Sequence, residues 1–315
     1  MTFSDDHSVD RVRPLGGTGL SVSSISLGTS FLGNPPQPDG SPAPESAELA
    51  RTLLAGPYAV IDTSNNYAGG RSETALGRAI AEHGLPAGRS VVTKADADPE
   101  TGRFDRDRVW RSFEESTARL GLETLPLLHL HDPYTVTVEE ALAPGGAVQG
   151  LVELREQGLV GAIGVAAGEI GLMTRYVTSG AFDVLLTHNR YTLVDRRAEA
   201  LMAEAARRGM GVFNAAPFGG GLLAGRGTRY AYREASPELL AWTERARELC
   251  RTWSIDLSAA ALHFSMRCPL IHSTVVGVSR PERIEQLEKL RLTTIPDDFW
   301  PELDALGTPP STVDD

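Results

Sequence analysis

Four side chains define the chemistry this chain can attempt: Asp62, Tyr67, Lys94 and His131. Lys94 is the most informative. Only two of the 30 basic residues are lysine, the rest being arginine. Arginine stays protonated under nearly all conditions, whereas lysine is a compact charge that tunes a neighbour or titrates itself, so a lysine closing the apolar run Ser90-Val-Val-Thr-Lys94 asks for a chemical reason. Its companions lie upstream, in Val60-Ile-Asp62-Thr-Ser-Asn-Asn-Tyr67-Ala-Gly-Gly-Arg-Ser-Glu73, and downstream, in Leu127-Leu-His-Leu-His131-Asp-Pro133. A phenol has a reference pKa of about 10 and must give or lose its proton near neutrality to act here. An ammonium at Lys94 would stabilise the Tyr67 phenolate and lower that pKa, while Asp62 keeps Lys94 protonated and in place. His131 would hydrogen-bond and orient a substrate oxygen. The set suits proton transfer at a carbonyl oxygen as hydride reaches or leaves its carbon, with Tyr67 as donor in reduction and acceptor in oxidation.

Each residue alone also has an ordinary reading. Asp62-Thr-Ser would serve as a helix cap, Tyr67 as a half-buried loop aromatic, Lys94 as a solvated strand end. The elements that must position them decide between the two. Short β-branched runs predict strands at Ser23–Leu27, Ala59–Thr63, Ser90–Lys94, Leu125–His131, Val160–Val165, Phe182–Thr187, Gly211–Ala215 and Ser273–Val278. Three- and four-residue apolar spacing predicts helices between them at Glu45–Leu54, Ser72–His83, Arg106–Leu120, Val148–Gln157, Gly168–Ser179 and Arg197–Arg208. Strands alternating with helices, with no linker splitting the chain, predict one (β/α)8 barrel domain. In such a barrel the strand C-termini share one mouth, where all four side chains converge.

Two stretches depart from that alternation. Val12–Val22 reads as a hairpin plugging the barrel floor. Pro217–Ala235, after the seventh strand, reads as a long binding loop, followed by helical stretches at Pro237–Trp253 and Leu257–Arg267. The first and last residues, roughly ten at each end, are expected to be disordered, as untethered termini usually are.

Net charge is −11 with both signs interspersed, which argues against a nucleic-acid or anionic-membrane surface. No basic segment leads into an apolar core at the N-terminus, so no secretory leader is expected. No apolar run approaches the ~20 residues of a bilayer span. Cys250 and Cys268 lie in no metal-binding spacing and read as reduced, partly buried thiols of a cytoplasmic protein.

The chain resembles the aldo-keto reductase family. The pattern D-T-x-x-x-Y-(x)-G…S-E…L-G matches at Asp62, Thr63, Tyr67, Gly69, Ser72, Glu73, Leu76 and Gly77, and the L-H-D-P segment at Leu130 to Pro133. The likeness runs from Leu15-Gly-Gly-Thr-Gly-Leu to Val276-Gly277-Val278-Ser-Arg-Pro-Glu282. It implies a (β/α)8 barrel that binds an extended nicotinamide cofactor without a Rossmann domain, and the tetrad Asp62, Tyr67, Lys94 and His131. Where the family usually has G-V-S-N to hold the carboxamide, this chain has Gly164-Val-Ala166-Ala167. His188 falls where a glutamine commonly serves that carboxamide, with Asn189 beside it. Pro217 and Phe218 stand near the usual nicotinamide-stacking aromatic, Phe218 shifted in position. Gly277, Ser279, Arg280 and Arg283 fall in the region that holds the adenosine ribose phosphate, and arginine forks suit a 2′-phosphate, favouring NADP over NAD. Thr187–Asp195 followed by Pro217-Phe-Gly-Gly-Gly-Leu-Leu looks most like the branch that oxidises L-fucose, L-galactose or D-threo-aldoses to lactones.

Two further motifs carry less. Gly219-Gly-Gly221-Leu-Leu-Ala224 fits a dinucleotide fingerprint but occurs late, with no acidic residue after it in a βαβ unit, and reads as a flexible loop. His129-x-His131, with His188 and His272, has the look of a metal pair. Metallohydrolase barrels usually place that pair on the first strand, so His129 reads as a satisfied interior histidine and no metal is expected. The expected activity is NAD(P)-dependent hydride transfer to or from an aldehyde, ketone or aldose. The alternative is a cofactor-holding regulatory or interaction subunit, suggested by the alanines at 166 and 167.

Overall fold

The computed structural model describes residues 12–38 and 43–310. The expectation of disorder for residues 1–11 and 311–315 lies outside them. Leu306–Pro310 are described, and the Trp242 indole donates to the Gly307 carbonyl at 2.9 Å. In chain order the strands are β1 (Arg13–Pro14), β2 (Ser21–Val22), β3 (Ile25–Gly28), β4 (Val60–Asp62), β5 (Ser90–Ala95) and β6 (Leu125–His131). They continue with β7 (Val160–Ala167), β8 (Val184–His188), β9 (Gly211–Ala215), β10 (Arg229–Tyr230), β11 (Arg233–Glu234) and β12 (Ser273–Gly277). The helices are α1 (Pro44–Ala55), α2 (Arg71–His83), α3 (Arg106–Leu120), α4 (Val138–Leu142), α5 (Ala147–Glu156) and α6 (Ile170–Ser179). After them come α7 (Glu199–Arg207), α8 (Pro237–Thr252), α9 (Leu257–Met266), α10 (Glu282–Arg291) and α11 (Phe299–Asp304).

The eight strands β12-β3-β4-β5-β6-β7-β8-β9 close a parallel barrel. Strand side chains alternate between faces, and that alternation sorts the core into two compartments. Val60, Val92, Leu127, Ala162, Val184, Leu186, Phe213 and Val275 fill the barrel interior. Their neighbours Ile61, Val91, Leu128, Ile163 and Leu185 pack outward against the helices. Two or four residues beyond those interior positions come Asp62, Lys94, His129, His131 and His188. Parity alone therefore aims all five inward, toward the C-terminal mouth.

The N-terminal hairpin pairs β1 with β2, and its Leu15 and Val22 join the interior cluster, closing the floor as expected. The stretch after β9 is more ordered than a plain loop. It holds a 3-10 segment, Gly219–Ala224, and the small hairpin β10–β11. Cys250 and Cys268 are free and buried. Among the described residues no helix is long and apolar enough to cross a membrane.

Candidate active site

Asp62 and His131 end β4 and β6, and Lys94 is the penultimate residue of β5. Tyr67 follows β4 in a tight turn: its carbonyl accepts from Gly70 N–H at 3.1 Å, and Ala68, Gly69 and Gly70 all have positive φ. Helix α2 starts at once behind it. The motif residues around that turn are its scaffold. Ser72 hydroxyl meets Thr29 and Thr63 hydroxyls at 2.8 and 2.9 Å. The fully buried Glu73 accepts from Thr93 Oγ1 at 2.6 Å and from Arg119 at 3.1 Å. Gly77 lets α2 approach α3, since a Cβ there would lie 1.8 Å from the Arg119 carbonyl oxygen.

Lys94 is 1% exposed and its ammonium has three partners. It donates to Asp62 Oδ2 at 2.7 Å, to the Thr63 carbonyl at 2.6 Å and to the Tyr67 hydroxyl at 3.2 Å. Burial works against its charge, but Asp62 and Tyr67 together outweigh burial and raise its pKa. The solvated-strand-end reading is thereby excluded. Tyr67 differs from expectation. Burial pushes its pKa up to about 12, and the lowering influence of Lys94 does not overcome this. The side chain is held as a phenol, a hydrogen-bond donor at working pH. Its ring meets that of His131 edge-on, with centroids 5.8 Å apart.

His131 has partners that sequence reasoning missed. Nδ1 lies 2.7 Å from Asp96 Oδ1 and 3.1 Å from the Ser64 hydroxyl. Nε2 lies 3.7 Å from Asp132 Oδ2. On the far side of that carboxylate, His188 Nε2 lies 3.7 Å from Asp132 Oδ1. The signal for Asp96 was a second acid two residues past the strand-end lysine. His129 is interior as expected but not satisfied. Both of its ring nitrogens lack a hydrogen-bond partner, and burial holds its pKa well below the usual value. It lies against Phe213 and over Gly164, where a Cβ would come within 2.3 Å of Nδ1.

The cofactor-side residues are gathered only in part. His188 packs on Gly168 and hydrogen-bonds Asn189 Nδ2 at 3.1 Å. The Asn189 carbonyl oxygen Oδ1 is buried without a partner, an acceptor of the kind a carboxamide NH2 would satisfy. Ala166 and Ala167 are buried and their side chains offer no polar group. Pro217 is buried, and Phe218 is half-buried against the helix-side core. The aromatic nearest His188 is instead Tyr232, with ring centroids 6.3 Å apart. Gly277, Ser279 and Arg280 are exposed beyond β12. Arg280 has Glu282 only at 3.9 Å, and Glu285 is engaged with Lys289, so the acids offset these arginines weakly. Arg283 bonds Gln286, leaving Nη2 buried without a partner. Arg226, unremarked in the sequence, stands close enough that burial and Arg280 together lower its pKa.

Comparison with known proteins extends this geometry. The model described as "Aldo/keto reductase family" matches residues 24–308. Pyridoxal 4-dehydrogenase of Microbacterium luteolum is 30% identical, with 94% of this chain and 97% of that protein covered. D-threo-aldose 1-dehydrogenase of a Pseudomonas species is 34% identical over 64% of this chain and 62% of its own. An aldo-keto reductase of Bacillus halodurans, solved in its holo form, superposes with a TM-score of 0.75 at 18% identity, covering 94% of this chain and 96% of its own.

Proposed function

Since the chain belongs to the aldo/keto reductase family and is an NAD(P)-dependent oxidoreductase, we propose that it transfers hydride between nicotinamide and the anomeric carbon of an aldose or a similar small cyclic hemiacetal. The observation that carries this reading is Lys94, buried and bonded to both Asp62 and Tyr67, with His131 edge-on to the phenol. When bound, the cofactor supplies or accepts the hydride at C4. The residues of the chain do the rest. Tyr67 donates a hydrogen bond to the substrate oxygen where negative charge develops, and Lys94 with Asp62 holds that phenol in place. His131 addresses the same oxygen from the other side. The exposed rings of Phe31, Tyr134 and Tyr232 stand beside the strand ends and offer flat apolar walls to a sugar's C–H face or a pyridine ring. The two dehydrogenases named above act, by their names, on compounds of these two shapes.

For the cofactor, the unpartnered Asn189 Oδ1 and His188 would take the carboxamide that Ala166 and Ala167 leave unserved. Arg280 with its neighbour Arg226, and Arg283 behind them in sequence, would serve the adenosine end, and a 2′-phosphate suits arginine forks, favouring NADP. The experiment is nicotinamide absorbance during incubation with aldoses, pyridoxal and simple aldehydes, using NADP and NAD in turn. Turnover with an aldose or pyridoxal is expected. Reactivity with simple aldehydes alone would overturn the hemiacetal reading.

A further inference from the structure

Two carboxylates flank His131, and they differ in how far their hydrogen-bonding capacity is spent. Asp96 is fully engaged. Its Oδ1 faces His131 Nδ1 at 2.7 Å, and its Oδ2 accepts from the Asn66 backbone N–H at 3.0 Å and from the Ser64 hydroxyl. Its backbone is pinned to α3, through its N–H to Ser112 Oγ at 3.3 Å and its carbonyl to Arg108 Nε at 2.9 Å. Asp132 is held by its backbone alone, whose N–H donates to the Ala166 carbonyl at 2.9 Å and whose carbonyl accepts from Tyr134 N–H at 2.7 Å. Its carboxylate stands 3.7 Å from His131 Nε2 and 3.7 Å from His188 Nε2, beyond hydrogen-bond range of both. Oδ1 is buried with no partner, yet the side chain is 41% exposed, so its opening lies on the Oδ2 side. Burial opposes its charge, but His188 and His131 outweigh burial and hold the carboxyl below its usual range. Burial likewise opposes the His131 imidazolium, yet Asp96 and Asp132 outweigh it and raise the His131 pKa. An ionised carboxylate that no donor among the described residues satisfies is unspent acceptor capacity at the rim of the site.

The same rim carries a tyrosine where glycine is the usual residue. The β10–β11 hairpin closes through Ala231 and Tyr232, both at positive φ, 46° and 70°. Such a two-residue turn ordinarily draws Asn-Gly or Gly-Gly, because a Cβ is strained there and a bulky side chain most of all. The hairpin is anchored by the buried Tyr230, whose hydroxyl donates to the Asn189 carbonyl at 3.0 Å and lies 2.9 Å from Thr192 Oγ1. The turn so held presents the Tyr232 ring, 70% exposed, edge-on to His188 with centroids 6.3 Å apart. Burial of the phenol oxygen is the largest influence on the pKa of Tyr134 and of Tyr232, raising both, and the Asp132 charge raises them further. Both tyrosines therefore lie within the field of that carboxylate. Asp132 and Asn189 also have positive φ. Backbone strain of this kind persists where the surroundings over-determine it, and it gathers at ligand clamps.

We propose that Asp132 and Tyr232 form a subsite that reads the hydroxyl on the carbon next to the reacting one, which makes the substrate an aldose or another 2-hydroxy carbonyl compound; this rests on the reading of the mouth as a nicotinamide-dependent active site. In that reading His131 Nε2 addresses the reacting oxygen, and the carboxylate of Asp132 opens 3.7 Å from that nitrogen. Oxygens on adjacent carbons are spaced about as far apart as hydrogen-bonded atoms. A substrate oxygen on Nε2 thus brings its vicinal hydroxyl to Asp132 Oδ2. An ionised carboxylate only accepts, so it favours a hydroxyl there over a hydrogen, an ether oxygen or an anionic group. Tyr232 supplies the flat face on which the C–H side of the sugar rests. Nearby cations do not take up the carboxylate: Lys94 is engaged by Asp62 at 2.7 Å, and Arg190 is buried at 8% exposure. The role of Asp132 is recognition alone, and it carries no proton in the reaction.

The test compares kcat/KM for an aldose with that for its 2-deoxy analogue, in wild type, Asp132→Asn and Asp132→Gly. A charge-assisted hydrogen bond to the 2-hydroxyl is worth roughly tenfold or more, so wild type should favour the aldose by at least that factor. Asp132→Asn keeps an acceptor oxygen without the charge and should narrow the preference. Asp132→Gly, unstrained at positive φ, should abolish it. Taking the ratio of preferences between proteins cancels the electronic effect of the 2-hydroxyl on hydride transfer, which all of them share. Tyr232→Gly relieves the turn, so its denaturation midpoint should rise while KM rises for both sugars, a split that a merely structural tyrosine would not show. If the Asp132 variants do not fold, the wild-type preference and Tyr232→Gly carry the test. An aldose preference equal in wild type and both Asp132 variants overturns this proposal alone, as does a working wild type indifferent to the 2-hydroxyl. An unchanged KM in Tyr232→Gly overturns the part given to the tyrosine. A wild type that turns over no aldose, pyridoxal or simple aldehyde with either cofactor sinks the active-site reading as well.

Discussion

Lys94 Nζ and Asp62 Oδ2 lie 2.7 Å apart with side chains 1% and 5% exposed, so neither charge has solvent to fall back on. Removing one member of such a pair leaves a buried charge uncompensated, at a cost of about 3–5 kcal/mol. Asp62→Ala should therefore lower unfolding free energy by about that amount, measured by chemical denaturation. A loss within about 0.5 kcal/mol, the usual range for surface sites, would mean that Lys94 finds water.

Tyr67→Phe removes a hydrogen bond to the substrate oxygen but leaves Asp96 and His131 in place. Deleting one such preorganised donor typically costs about 10²–10³-fold in kcat. We expect that loss in turnover with cofactor affinity nearly unchanged. A variant that kept most of its turnover would show that the phenol takes no part in the chemistry.

Arg280 stands exposed near Arg226, with its closest acid at 3.9 Å. Charge-assisted hydrogen bonds are worth about 1.5–3 kcal/mol, so Arg280→Ala should weaken NADP tenfold or more while sparing NAD. Titration of each cofactor by protein fluorescence would read this directly. Equal losses would assign the arginine to the pyrophosphate that both cofactors share.

Gly164→Ala would place a Cβ 2.3 Å from His129 Nδ1 inside the barrel. Overpacking of this kind costs about 1–3 kcal/mol. Denaturation midpoints should fall accordingly, and an unchanged midpoint would show that the imidazole can swing clear.

Stability should also depend on pH through Asp96 and His131. Burial opposes the Asp96 carboxylate, but His131, Ser64 and Asn66 outweigh it and lower its pKa. Its contribution is present above the unfolded value of about 3.9 and lost as pH falls through the folded one. The raised His131 value works the opposite way. Its contribution is full below about 6.5 and lost as pH rises through the folded value. The stability difference between wild type and Asp96→Asn should thus peak between about pH 4 and 6.5 and shrink on both sides. A difference independent of pH would mean that the two groups are not coupled.

The barrel and the inward aim of Asp62, Lys94, His131 and His188 were legible in the sequence, because strand parity is a local property repeated every two residues. The D-T-x-x-x-Y turn was legible for the same reason: Gly69 and Gly70 supply positive φ within a few residues of Tyr67. The pairing of Asp96 with His131 was not, since it depends on α3 and the β4 loop pinning a β5 loop residue against β6. Nor was the displacement of Phe218 in favour of Tyr232 beside His188, which the β10–β11 hairpin decides. The Tyr67 pKa went against the local expectation for a related reason. One neighbouring lysine can be read from spacing, but burial sums over every element packed around the phenol, and only the closed barrel determines that sum.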